Sequence, residues 1–221
     1  MKLCVCMFYN DAIKIYSDLT KQINAVYCYK YGLDFHLETK RKLIDRHPAW
    51  ERIPMIINLL QKDYDYVIYI DADAFFRLEN GDKLIPLIKS YEKYDIILSG
   101  DLTELFNTGF MIIKRCNFTR NLFWKLMISQ KFKNLWVDRT WEQKAMITLY
   151  QRNYLNFKRR AFIFQYGVMQ SYNVDKYPLS IVVHFENRRL KDKLMKILKQ
   201  YEKYERMNVL QIDNINYVTY I

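Results

Sequence analysis

Two aspartates directly after an apolar run form the strongest chemical signal in the sequence. The run is Tyr66–Ile70, and Asp71 and Asp73 follow it. Carboxylates at positions i and i+2 point to the same side of an extended chain, so both can bind one hard divalent cation through oxygen. Such a cation, Mn²⁺ or Mg²⁺, can bridge a diphosphate and offset the charge on a leaving group. The pair therefore predicts a metal site for a phosphorylated ligand.

The sequence contains a second pair with the same spacing, Asp63 and Asp65, which precedes the same apolar run. In an open parallel sheet, ligands bind outside the carboxyl ends of the strands. Only Asp71 and Asp73 stand at that end, and we interpret Asp63 and Asp65 as a solvated turn. A polar turn after a core strand is the alternative interpretation of Asp71 and Asp73 as well.

Apolar runs alternate with amphipathic stretches along the chain, which predicts an α/β fold with a mostly parallel central sheet flanked by helices. Strands are predicted at 3–9, 33–38, 66–70, 95–99, 110–114, 161–164 and 181–185. Helices are predicted between Asn10 and Gly32 and at 48–62, 83–89, 118–130, 141–152 and 190–204, with a kink or a late start at Pro54. We expect residues 1–189 to form one domain, on which a basic amphipathic helix and tail, 190–221, packs.

The composition limits how a phosphate could be bound. There are only 5 Gly against 19 Tyr and 13 Phe, and no glycine-rich phosphate loop occurs. A phosphorylated ligand must therefore be held by a metal ion or by basic side chains. The net charge of +11 favours phosphorylated ligands, polyanions or anionic membrane surfaces, although a solvated basic surface explains it equally. The four cysteines have no zinc-ligand spacing.

The sequence enters a predicted strand after two residues and has no apolar stretch long enough to span a membrane. We therefore expect neither a signal peptide nor a transmembrane segment, and a cytoplasmic location (host cytoplasm, if the chain is viral). The basic helix at 190–204 predicts at most a weak, salt-sensitive attraction to anionic membranes. No long basic arm of the kind that binds nucleic acid is present, so no specific nucleic-acid partner is expected.

Four segments in a fixed order resemble the galactosyl- and xylosyltransferase family of fungal Golgi and plant cell-wall enzymes, which are glycosyltransferases of the GT-A fold. The segments are 66–76 with Arg52 upstream, 106–114, 141–145 and 182–185. A short chain without a membrane anchor also resembles glycosyltransferase domains of large algal viruses. The resemblance implies a Rossmann-like GT-A fold and transfer of a sugar from a nucleotide-sugar donor, in the first place a UDP-sugar, to a glycan or glycoconjugate acceptor.

The resemblance also implies how the donor is held. His184 would complete the metal site with Asp71 and Asp73, although a hydrogen-bonded core histidine is the alternative. Asp71 would hold the metal, its water or the ribose. Arg52 would contact the diphosphate as a fixed positive donor, or it would only cover a helix face. In the family the residue equivalent to Arg52 is commonly Lys.

Four further residues are expected at the donor. Asn107 would hydrogen-bond sugar hydroxyls, and Gly109 would let the backbone approach, both within an Asn-Thr-Gly turn that precedes a strand. Tyr9 and Asn10 end the first predicted strand and could stack on and bind a uracil-like base.

Glu142 and Gln143 are expected to line the sugar and acceptor pocket, with Glu in place of the family's usual Asp; alternatively they are ordinary first-turn helix residues. The resemblance implies that the anomeric configuration is retained. The residues themselves leave an inverting reaction open, because Glu142, Asp138 or Asp101 could act as a general base.

Two other classes of protein remain open from the sequence. A metal-dependent nucleotidyltransferase or nuclease would also use strand-borne carboxylates, but it normally needs a third carboxylate or a Gly-Ser phosphate turn. A non-enzymatic polyanion-binding module would explain the charge, but Asp71 and Asp73 would repel its ligand. Stabilisation by UDP with Mn²⁺, as opposed to stabilisation by an oligonucleotide alone, separates these hypotheses.

Overall fold

The computed structural model describes residues 1–137, 141–185, 189–207 and 209–210. Its strands are β1 (Leu3–Phe8), β2 (Asp34–Glu38), β3 (Tyr66–Ile70), β4 (Ala74–Phe76), β5 (Ile96–Ser99), β6 (Asn107–Lys114), β7 (Ala161–Phe164), β8 (Gln170–Ser171) and β9 (Val182–His184). The central sheet has the order β2-β1-β3-β6-β5-β7. Within it, β6 runs antiparallel to the other five strands. The predicted α/β fold with a mostly parallel sheet is confirmed.

Helices cover both faces of the central sheet. They are α1 (Lys14–Lys30), α2 (Arg52–Leu60), α3 (Leu84–Ser90), α4 (Asn117–Ile128), α5 (Trp141–Gln151), α6 (Phe157–Arg160) and α7 (Leu190–Arg206). Side chains alternate along β1, so that Val5 and Met7 pack in the core beneath α1, whereas Cys4 and Cys6 pack in the core beneath α2 and α4. All five residues of β3 are buried, as expected of a strand covered on both faces.

The C-terminal helix α7 packs against α1. Tyr204 is buried; its hydroxyl donates to Glu79 and accepts from the backbone nitrogen of Leu78 at 3.3 Å. Tyr201 donates to Gln22 on α1. The basic helix predicted at 190–204 is therefore present and docked, whereas a domain boundary at residue 189 stays a prediction.

The structure differs from the sequence-based prediction in several details. Strands β4 and β8 were not predicted, because they have only 3 and 2 residues. The expected turn at Asn107 to Gly109 is wrong: β6 begins at Asn107, which pairs with Ser99 across a register shift. The late start predicted for the helix at 48–62 is confirmed, since Pro48–Glu51 form a 3₁₀ turn and Pro54 falls in the first turn of α2. No helix in the described ranges is long and apolar enough to cross a bilayer.

Candidate metal and donor site

Three side chains converge beyond the carboxyl end of β3. One ligand atom each from Asp71, Asp73 and His184 lies within 4.8 Å of the others. The Nε2 atom of His184 is 3.2 Å from Oδ1 of Asp73 and 3.5 Å from Oδ2 of Asp71. Two carboxylates and a neutral imidazole are a ligand set suited to Mn²⁺ or Mg²⁺. The residues present therefore fit the ion that the sequence predicts.

A tight turn, rather than an extended chain, carries the two aspartates. The backbone nitrogen of Ala74 donates to the carbonyl oxygen of Asp71 at 3.0 Å, so the expectation of an extended chain is wrong in this detail. Strand β4 begins at Ala74 and pairs with β9 so that Ala74 stands opposite His184. This pairing between two short strands brings the histidine to the aspartates.

Gln170 on β8 holds the ring of His184 in one orientation. The Nδ1 atom of His184 lies 3.1 Å from Oε1 of Gln170. Because that oxygen only accepts, Nδ1 carries a proton, and when the ring is neutral Nε2 keeps its lone pair. The lone pair faces the carboxylates of Asp71 and Asp73, an arrangement that a cation between the three groups stabilises.

The two oxygens of Asp71 have different surroundings. Oδ1 accepts from Nη2 of Arg52 at 2.7 Å and from the hydroxyl of Tyr69 at 2.8 Å. Oδ2 is the oxygen that faces His184. The protein therefore fixes Asp71 through one oxygen and leaves the other directed at the candidate metal position.

Asp73 is arranged in the same way by a residue far along the chain. Its Oδ1 faces His184, and its Oδ2 forms an ion pair with Nζ of Lys193 on α7. Burial raises the pKa of the Asp73 carboxyl, but His184 and Lys193 lower it by more, so the pKa lies well below its usual range. Asp73 is consequently ionised at neutral pH, as a metal ligand must be.

Gly109 makes room for this group of side chains. The backbone nitrogen of Asp71 donates to the carbonyl oxygen of Gly109 at 2.8 Å. A Cβ atom at Gly109 would lie 2.2 Å from Cε1 of His184 and 2.6 Å from Oδ2 of Asp71. Only glycine fits here, because the side chains of the candidate metal site pass directly over its Cα.

Arg52 is buried and connects the aspartates to the predicted sugar pocket. Besides contacting Asp71, it donates through Nη1 to the carbonyl oxygen of Thr108 at 3.0 Å, and Nη1 lies 3.0 Å from Oε1 of Glu142. Its Nε donates to the carbonyl oxygen of Ala49 at 3.1 Å. Burial lowers the pKa of the guanidinium, but Asp71 and Glu142 raise it above its usual value, so Arg52 is a permanent cation inside this network.

Glu142 and Gln143 lie at the start of α5 and contact Thr108. The hydroxyl of Thr108 donates to Oε1 of Glu142 at 3.0 Å, and its backbone nitrogen donates to Oε1 of Gln143 at 3.1 Å. Burial raises the pKa of Glu142 and outweighs the lowering by Arg52. Its Oε2 atom has no hydrogen-bond partner in the described part of the chain.

These residues line a cleft of about 500 Å³, a volume in the range of ligand sites. Asn107 lies in its wall and donates from Nδ2 to Oδ2 of Asp101 at 3.0 Å, while its Oδ1 accepts from the backbone nitrogen of Gly109 at 2.7 Å. Further along the wall, the rings of His47 and Trp141 stack with centroids 4.1 Å apart. The cleft therefore combines carboxylates, amides and an aromatic surface.

The structure separates the two residues proposed to contact a base. Asn10 lines the cleft. Tyr9 is buried in the core beneath α1, and its hydroxyl donates to Asp18 at 2.6 Å. The prediction that Tyr9 stacks on a base is therefore wrong. Side chains alternate along β1, so Tyr9 points away from the cleft and Phe8 lies against it. Asp138 lies outside the described residues.

Several residues of the site were not predicted from the sequence. Lys193 belongs to a helix with many lysines, and Gln170 to a strand of two residues, so neither stands out. Tyr69 is one of five buried residues in β3, and only its position two residues before Asp71 hints at a contact. The solvated turn predicted for Asp63 and Asp65 is confirmed, since the side chain of Asp63 is 88% exposed and that of Asp65 is 51% exposed.

No family model and no curated protein matches this chain, so membership in the galactosyl- and xylosyltransferase family stays a prediction. Solved glycosyltransferases nevertheless share its architecture. A glycosyltransferase involved in the glycosylation of the major capsid of PBCV-1 has a TM-score of 0.73 and 15% identity, over 90% of this chain and 100% of that one.

Two further structures extend this likeness. The galactosyltransferase LgtC, solved with donor and acceptor sugar analogues, has a TM-score of 0.58 and 13% identity, over 92% of this chain and 99% of that one. The glycosyltransferase GlyE of Streptococcus pneumoniae has a TM-score of 0.55 and 14% identity, over 95% of this chain and 64% of that one. At such identities the likeness shows the fold alone. The chain has the GT-A fold that these glycosyltransferases share.

Proposed function

We propose that this protein is a metal-dependent glycosyltransferase that takes a sugar from a nucleotide-sugar donor, in the first place a UDP-sugar. The observation that carries the proposal is the convergence of Asp71, Asp73 and His184 at the carboxyl edge of a GT-A sheet. Ligands bind at this edge in open α/β folds. The acceptor is a glycan or glycoconjugate, and the donor decides whether a hexosyl or a pentosyl group moves.

The metal would be Mn²⁺ or Mg²⁺, and Asp71, Asp73 and His184 would hold it. When bound, the ion offsets the negative charge on the departing diphosphate. Lys193 supplies a second positive charge beside Asp73 and lies in the wall of the same cleft. A diphosphate in the cleft would therefore lie near two positive charges, the metal ion and Lys193.

Arg52 is proposed to position the site rather than to contact the diphosphate. Its three nitrogens already donate to protein acceptors, and Nη1 and Nη2 each face a carboxylate. A buried guanidinium in this state stabilises two carboxylates that would otherwise repel each other. Arg52 thus lies between Asp71 and Glu142 and holds the two side chains close, which sets the distance between the metal ligands and the sugar pocket.

The sugar is proposed to bind between Asn107, Glu142 and Gln143. Retention of the anomeric configuration is part of the proposal. Asp101 is a poor candidate for the general base of an inverting reaction: burial raises its pKa, but hydrogen bonds from Thr103, Asn107 and Glu104 lower it below its usual value. A carboxylate with a depressed pKa is a weak base at neutral pH.

A donor panel tests this function. UDP-glucose, UDP-galactose, UDP-xylose, UDP-N-acetylglucosamine and GDP-mannose are incubated with the protein and Mn²⁺ or Mg²⁺, and release of the nucleoside diphosphate is followed. We expect slow hydrolysis of at least one UDP-sugar, which stops when the metal is chelated. Hydrolysis of none of the donors, together with metal-dependent cleavage of an oligonucleotide, would contradict the proposal.

A further inference from the structure

A second cavity lies on the other side of β9 from the candidate metal site. Its volume is about 570 Å³, and it is lined by residues of β9, of the segment after β8 and of α7, with Phe185 just after β9. Along β9, His184 faces the cleft, whereas its neighbours Val183 and Phe185 line the second cavity. The two spaces are therefore separated by a single strand.

The wall formed by α7 is strongly basic. Lys196, Lys199, Lys203 and Arg206 all line the cavity, and their spacing of three, four and three residues puts them on one face of the helix. At the helical rise the stripe is about 15 Å long. A single phosphate or carboxylate cannot contact all four cations, but a chain that carries several acidic groups can.

Most of this charge is not neutralised by the protein. Lys203 lies 3.4 Å from Oε1 of Glu79. No carboxylate in the described ranges lies within ion-pair distance of Lys196, Lys199 or Arg206, and one acid, Asp175, is found among the described lining residues. Four cations around one concave space repel one another, and an anion bound between them removes that cost.

The floor of the cavity is apolar, and of the two aromatic residues in its described lining, Phe185 and Tyr172, only Tyr172 is partly exposed. Val183 and Phe185 are 1% and 5% exposed, and Nζ of Lys196 lies 5.9 Å from the centre of the Phe185 ring. A nucleic acid would need exposed ring faces on which its bases stack, and a membrane surface would need a flat or protruding face. A concave basic space with an apolar floor better suits a flexible sugar chain bearing acidic groups.

We propose that this cavity binds an acidic segment of a glycan and so holds an anionic acceptor beside the transfer site. Its identification as a glycan rests on the proposed function; its affinity for an acidic chain rests only on the four cations. Lys193 lies one helical turn before Lys196 on α7 and reaches Asp73. The same helix therefore contributes to both spaces.

Calorimetry at fixed ionic strength tests the proposal, with a heparin-derived hexasaccharide as the acidic probe and maltohexaose as the neutral one. Lys199→Glu with Arg206→Glu reverses two charges in the cavity. Lys158→Glu with Arg159→Glu reverses two exposed charges of α6 and is the matched control. We expect binding of the acidic hexasaccharide only, weakened at least about tenfold by the cavity variant and less than about twofold by the control.

An equal loss in both variants would overturn the proposal, because the attraction would then be a property of the net charge. Tighter binding to phosphatidylserine vesicles or to an oligonucleotide of equal charge than to the hexasaccharide would also overturn it. Binding of UDP with Mn²⁺ is measured on the same proteins and should not change in either variant. If UDP binds to none of them, the proposed function fails, while the hexasaccharide result still decides the role of the cavity.

Discussion

The Nε2 atom of His184 lies 3.2 Å from Oδ1 of Asp73, although one residue follows β3 and the other ends β9. A carboxylate and an unprotonated ring nitrogen facing each other at this distance repel unless a proton or a metal ion lies between them. Gln170 accepts from the other ring nitrogen, so the position between Nε2 and Asp73 is left for a proton or a cation. The contact is therefore consistent with the metal site formed by Asp71, Asp73 and His184.

Gln170 should act on the metal through His184. Replacing it with Ala removes the acceptor for Nδ1, and loss of such a partner typically weakens a metal site about 10–100-fold. Gln170→Glu keeps an acceptor at the same place and should restore most of the affinity. Titration of Mn²⁺ followed by electron paramagnetic resonance measures this directly. Equal Mn²⁺ affinity in wild type and Gln170→Ala would show that the ring needs no such support.

Gly109→Ala should displace two of the candidate metal ligands. The added Cβ would meet Cε1 of His184 at 2.2 Å and Oδ2 of Asp71 at 2.6 Å, so both ligands must move. We expect a loss of stability of about 1–3 kcal/mol and at least about tenfold weaker Mn²⁺ binding. Gly32→Ala is the control: its φ of 65° is strained for alanine, but nothing lies within 4 Å of the new atom. It should cost about 1 kcal/mol without changing Mn²⁺ affinity.

Lys193→Met should change the affinity for the metal and the affinity for the nucleotide in opposite directions. The ammonium group beside Asp73 opposes a second cation at the site, so its removal should tighten binding of Mn²⁺ alone by about threefold or more. The same change removes a positive charge from the diphosphate side and should weaken binding of UDP in the presence of Mn²⁺. Lys191→Met, which changes an exposed lysine of α7, is the control. If the affinities for Mn²⁺ alone and for UDP with Mn²⁺ both rise or both fall, Lys193 does not lie between Asp73 and the diphosphate.

Asp101 should stabilise the fold in a pH-dependent way. Burial raises its pKa, but hydrogen bonds from Thr103, Asn107 and Glu104 lower it below the usual value. A depressed folded-state pKa contributes stability above the unfolded value of about 3.9, and this contribution is lost as the pH falls through the folded-state pKa. Urea unfolding should thus show a larger deficit for Asp101→Asn at pH 7 than in acid. A deficit that is the same at both pH values would contradict this assignment.

The sequence predicts the site residues that directly follow or end an apolar run. Asp71 and Asp73 follow a buried run, which places them at the carboxyl edge of the central sheet. His184 ends another apolar run, but it reaches the aspartates because β9 pairs with β4, a strand of three residues that the sequence does not predict. Gln170 and Lys193 could not be predicted in the same way. A strand of two residues leaves no pattern, and one lysine of a basic helix is indistinguishable from its solvated neighbours.

Tyr9 shows a different limit. Its place at the end of β1 was predicted, but which face it takes depends on the register of the whole strand. The ring lies in the core beneath α1, and the neighbouring Phe8 lines the cleft instead. A single step along a strand thus decides whether an aromatic residue belongs to the core or to a ligand site.

The central claim is that Asp71, Asp73 and His184 hold a metal ion that binds the diphosphate of the donor. Calorimetric titration of UDP into wild type, Asp73→Ala and Asp63→Ala, with Mn²⁺ and with excess chelator, tests it most directly. Wild type and Asp63→Ala should bind UDP equally and only with the metal, whereas Asp73→Ala should lose at least about a hundredfold in affinity because one of three ligands is gone. UDP binding of unchanged affinity in chelator, or equal losses in the two aspartate variants, would contradict the claim.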